Sequence, residues 1–124
     1  MLLEGREIKF RRSIYAEKLL RDRSTDKNVQ AIFEMFGDPD PFVRMDAMIT
    51  FCMCLHDGYE RYAAFMDKDY DSTPMERKDW ENLTEKQLML ATTEGLEVWN
   101  GDAQQEVQAE PTGKNAPGQS KEKA

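Results

Sequence analysis

The chain has few of the residues on which enzymes and metal centres are most often built. Its 124 residues include one histidine, His56, and two cysteines, Cys52 and Cys54. With a single His and no Gly-rich elbow around a Ser or Cys, there is no nucleophile–base pair to build from. No Gly-rich loop of the phosphate-cradling kind is present. Carboxylates are plentiful, but no pair is set apart inside an apolar stretch. These absences argue against an enzyme and against a bound cofactor.

Cys52, Cys54 and His56 still raise the question of a metal. Cys52 and His56, at i and i+4, share one helix face, while Cys54 lies about 200° from Cys52. At most two of the three reach one ion, and a structural zinc site needs four ligands. Buried small residues on an apolar helix, with His56 at its edge, is the preferred reading. The same geometry keeps the two thiols from bridging, which fits a reducing compartment. Asp67, Asp69 and Asp71 are spaced like the start of a calcium loop. The sixth and twelfth positions of that loop require Gly and Glu, and here hold Ser72 and Lys78. A solvated acidic loop is the expectation, and no metal site is assigned.

Long apolar runs are also missing. Glu4, Arg6 and Glu7 interrupt any signal-like start, and no stretch reaches membrane-spanning length. The expectation is a cytoplasmic protein with no membrane partner.

What the chain does have is a short stretch that is apolar almost all the way round a helix. It reads Ala47, Met48, Ile49, Thr50, Phe51, Cys52, Met53, Cys54, Leu55. Such a helix must be covered on every side, and a chain this short has little material to cover it. Part of that surface is therefore expected to meet another chain. The expected surface for partner binding or self-association is Phe42, Met45, Met48, Ile49, Phe51, Met53 and Leu55, some of which must be core. The seven methionines from Met35 to Met89 divide between core and adaptable contact surface.

The expected fold class is α+β and mainly α. An N-terminal β-hairpin precedes four or five packed helices and a disordered C-terminal tail. Residues 1–99 form the single domain and 100–124 the polar tail, which has too little to bury to offset chain entropy. In the hairpin, Gly5-Arg6 forms the turn, so that Leu3 faces Ile8, Met1 faces Phe10 and Glu4 faces Glu7. Ser13 caps a first helix ending near Arg23. Thr25 or Asp26 caps the next, whose stripe is Val29, Ile32, Phe33 and Phe36, with Gly37 at its end. Asp40 and Pro41 start the central helix, which runs to about Met66. Gly58 inside it is tolerated at a cost of about 1 kcal/mol, or marks a kink or a close backbone approach. Thr73-Pro74-Met75-Glu76 is a capping box opening a short helix through Trp80, and Thr84 to Gln87 is a second box. Asn100-Gly101 ends the last helix.

The formal charge of −7 is uneven. Residues 1–23 carry 7 Lys/Arg against 4 Asp/Glu, and residues 24–99 carry 7 against 16. The acidic majority repels a phosphate backbone, so no nucleic-acid partner is expected. It suits solubility or a basic protein partner. The basic first helix is a solvated face or one that docks an acidic subunit surface.

The layout resembles the tail assembly chaperones of long-tailed bacteriophages and prophages. The residues that carry the resemblance are Leu2 to Phe10 as strand–Gly–strand, then Ser13 to Leu20 with Ala16 inside. They continue with the Asp40-Pro41 start, the apolar helix after it, and Leu83 to Leu88 leading into a helix and polar tail. The resemblance implies a protein of the bacterial host cytoplasm that coats the phage tape-measure protein and recruits the tail-tube protein. A homo-oligomer is also expected. The alternative is an acidic helical adaptor or inhibitor on a basic site of a host protein.

Overall fold

The structure is a computed structural model that describes residues 1–3 and 5–101. The predicted tail lies outside them, apart from Asn100 and Gly101. A two-stranded antiparallel hairpin, β1 (Leu2–Leu3) and β2 (Arg6–Glu7), opens the fold. Five helices follow: α1 (Ile14–Asp22), α2 (Val29–Met35), α3 (Pro41–Met66), α4 (Arg77–Trp80) and α5 (Glu85–Trp99). The expected mainly helical α+β class is the observed one.

The hairpin pairs two residues away from the expected register. Leu3 pairs with Arg6 and Leu2 with Glu7, and Met1 and Ile8 exchange two backbone bonds of 2.7 Å. Gly5 takes a φ of +80°, a conformation that favours Gly, so the turn closes before Arg6. Glu4, the expected partner of Glu7, lies outside the described residues. A shift of two preserves side-chain alternation, so Leu3 and Ile8 still point into the core and are both buried.

Most helix starts follow local chemistry. Ser13 accepts from Ala16 N–H at 3.1 Å, and Asp40 accepts from Phe42 N–H at 2.9 Å with Pro41 at the first helical position. Thr84 and Gln87 complete the second capping box in both directions, at 3.1 and 2.9 Å. Two starts differ from expectation. Thr25–Lys27 is a separate 3₁₀ turn, and Asn28 caps α2 by accepting from Gln30 N–H at 3.1 Å. The first capping box moves one turn on: α4 starts after Glu76, whose N–H donates to Asp79 at 2.9 Å. Thr73 is diverted because its N–H donates to the buried Glu60 at 3.0 Å and its hydroxyl accepts from Arg6 at 3.2 Å.

α3 is the axis of the molecule, and each of the other four helices packs on it. Ala47, Ile49, Thr50, Phe51, Cys52, Cys54 and Leu55 are buried, and Met48 and Met53 are half-buried. The single chain therefore covers most of the all-round apolar stretch itself, leaving Met48 and Met53 half-buried. The hairpin residues Leu3, Ile8 and Phe10, with Trp80 stacked 6.3 Å from Phe10, supply cover that a count of helices alone leaves out. Phe33, Phe36, Phe51 and Trp99 close the opposite side, with ring centroids 5.4–5.9 Å apart.

Candidate functional site

The apolar surface left uncovered lies toward the ends of α3. At its N-terminal end the Asp40-Pro41 start places Phe42 in the first turn, 71 % exposed. Met45 and Ile49 follow on the same face at i+3 and i+7. Opposite stand Trp80 from α4, Leu83 and Thr84 from the connection, and Glu85 and Leu88 from the first turns of α5. Together with Asp46 and Glu81 these residues enclose about 220 Å³. That is below the roughly 300–1,000 Å³ of small-molecule sites. The shape suits a protruding side chain rather than an enclosed ligand. On the far side of Glu85 a separate depression on α5 is lined by Lys86, Thr93 and the exposed Met89 and Leu90.

Carboxylates edge this groove. Asp46 is 3.8 Å from Arg77, whose guanidinium is committed to the Thr50 hydroxyl at 2.6 Å. The side chains of Glu81 and Glu85 make no hydrogen bond or ion pair among the described residues. The groove is apolar at its floor and negative at its edge.

The seven residues expected to form a contact surface do not stay together. Phe42, Met45 and Ile49 line the groove. Phe51 and Leu55 are fully buried and belong to the core, where both pack against Gly95 of α5. They present nothing to a partner, which corrects the expectation for these two. Met48 and Met53 are half-buried and pack on the core elsewhere. Trp80, Leu83, Leu88, Glu81 and Glu85 were not foreseen as lining. The Thr84 capping box places Leu88 on a helix, but nothing local connects it with Phe42.

Two further surfaces share no lining residue with the groove. Phe65, 83 % exposed, and Met66 end α3 beside Tyr62, over which the Arg11 guanidinium lies at 3.8 Å. The basic face of α1 forms a cleft with Lys18, Arg21 and Lys27 around Ile14 and Val29.

The residues that suggested a metal are used otherwise. The Cys52 thiol lies 3.6 Å from the Thr92 hydroxyl, which itself donates to Leu88 O at 2.8 Å. His56 Nδ1 is 3.0 Å from Lys9 O. His56 Nε2 and Trp80 Nε1 are buried without a hydrogen-bond partner among the described residues. Burial pushes Cys52 up to about 12 and Cys54 up to about 11, so both stay protonated, unreactive thiols at neutral pH. Among the described residues no three potential metal ligands converge, and no helix is long and apolar enough to cross a membrane.

No protein-family model, curated protein or solved structure matches the chain.

Proposed function

We propose that this chain is an assembly protein that seats an apolar helical segment of another protein in the groove between α3 and α5. The observation that carries this reading is Phe42. A large aromatic side chain stands mostly in solvent at the mouth of an apolar groove, in a fold that buries the centre of the same helix. An amphipathic helix laid into such a groove uses i, i+3, i+4 and i+7 anchors. A tape-measure protein, long and helical with exposed apolar stripes, is a fitting client, and the resemblance to tail assembly chaperones supplies that identity. Recruitment of tail-tube protein and self-association belong to the same proposal.

Co-expression with the tape-measure protein of the same genome tests this reading. The expected result is a soluble tape-measure protein that co-purifies, and that is lost when Phe42→Asp is introduced. A tape-measure protein that still aggregates beside soluble wild-type chain overturns the client assignment. An acidic adaptor on a basic host site is the rival reading. It predicts co-purification that collapses as salt rises and is indifferent to Phe42.

A further inference from the structure

We infer that the groove selects helices whose apolar anchor is flanked by lysine or arginine. The inference rests on the groove being a docking site and adds the chemistry of its occupant. Among the described residues ten line the groove; three of them, Asp46, Glu81 and Glu85, are carboxylates and none is a lysine or arginine. Arg77, the cation nearest to Asp46, is 3.8 Å away and already bonded to Thr50. Glu81 and Glu85 have no counter-ion among the described residues. Seating an apolar side chain at Phe42, Met45 and Leu83 removes water from beside these carboxylates. Their ionised form is then held by a cation on the incoming helix or left poorly solvated. A helix with acidic flanks meets like charge at short range, which disfavours it strongly. The apolar floor supplies affinity, and the carboxylate edge chooses among apolar helices.

The test uses full-length protein and two fluorescein-labelled synthetic helical peptides. Both carry Leu at i, i+3, i+4 and i+7; one has Lys flanks, its twin Glu flanks. The expected anisotropy titration shows the Lys peptide binding at least about tenfold tighter than the Glu peptide, with the gap narrowing as salt rises. Glu81→Lys combined with Glu85→Lys should reverse the order. Both side chains are exposed and make no hydrogen bond or ion pair among the described residues, so this variant keeps its fold. Equal affinity for the two peptides, with Phe42→Asp abolishing both, overturns the charge selection and leaves the groove as a docking site. Absence of binding, or binding indifferent to Phe42→Asp, overturns both. Two occupants from the chain itself are also tested. A peptide spanning residues 102–124 that displaces the Lys peptide would assign the groove to the chain's own end. A dimer seen by light scattering, broken by Phe42→Asp and unaffected by the Lys peptide, would assign it to a second copy. The α1 face of such a copy carries Ile14 beside Lys18 and Arg21. Either result overturns the inference.

Discussion

Gly58 of α3 and the backbone of Arg11 approach so closely that no side chain fits between them. A Cβ on Gly58 would stand 2.7 Å from the Arg11 carbonyl oxygen and 2.9 Å from the Ala16 Cβ. This contact lets the entry to α1 lie flat on α3, where Arg11 N–H donates to Leu55 O at 3.0 Å. Of the readings open for Gly58, close backbone approach is the one observed.

Gly58→Ala is therefore expected to destabilise the protein despite favouring the helix. Overpacking costs about 1–3 kcal/mol, and removing a helical Gly returns about 1 kcal/mol. The obstructing atom is a backbone carbonyl, so the clash is not relieved by turning a side chain. Chemical denaturation should give a lower midpoint. An unchanged or higher midpoint would mean that α1 can shift away freely.

Glu60 holds the segment between α3 and α4. It is buried, and its carboxylate accepts from Tyr70 Oη at 2.8 Å, Ser72 Oγ at 3.2 Å and Thr73 N–H at 3.0 Å. Burial, followed by the bond to Glu60, pushes the Tyr70 phenol up to about 12. Glu60→Ala should cost on the order of 3 kcal/mol and expose residues 67–75 to proteolysis. Glu60→Gln keeps an acceptor for Ser72 and Thr73 and should recover most of the loss. Equal sensitivity of the two variants would rule out this hydrogen-bonding role.

Asp57 gives the protein a pH signature. Burial pushes its carboxyl up, against the opposing pull of His56 and Arg23. Ionisation at neutral pH is thus harder in the folded state than in the unfolded one. The protonated group's advantage is complete below the ordinary aspartate value of 3.8 and is lost as pH rises through the raised folded value. Asp57→Asn should raise the melting temperature at pH 7, with the gain disappearing below pH ~3.8. A gain of the same size at both pH values would point to something other than ionisation.

Local signals in the sequence carried much of the fold. Ser13, Asp40-Pro41, Thr84 and Asn100 mark helix ends because the capping groups lie within four residues of the backbone they serve. The first capping box failed where a distant residue intervened: Glu60 takes the Thr73 N–H, and the helix starts later. The hairpin register moved because turn choice at Gly5 is decided by backbone geometry that neighbouring side chains do not specify. The site was legible only in part. Phe42, Met45 and Ile49 share a helical period, whereas Leu83, Glu81 and Glu85 reach them through tertiary packing alone. Phe51 and Leu55 fall among the core members of the seven because Gly95 of α5, and for Phe51 the rings of Phe33, Phe36 and Trp99, cover them, and those contacts cannot be read from the helix itself.

The central place of α3 also sets how the groove behaves over time. Every other helix docks on it, so losing its middle turns would undo all of those contacts together, and residues near Ile49 open only with the whole fold. Phe42 sits in the first turn, and helix ends fray. The groove therefore joins an anchored base to a lip that can adjust without disturbing the core beneath.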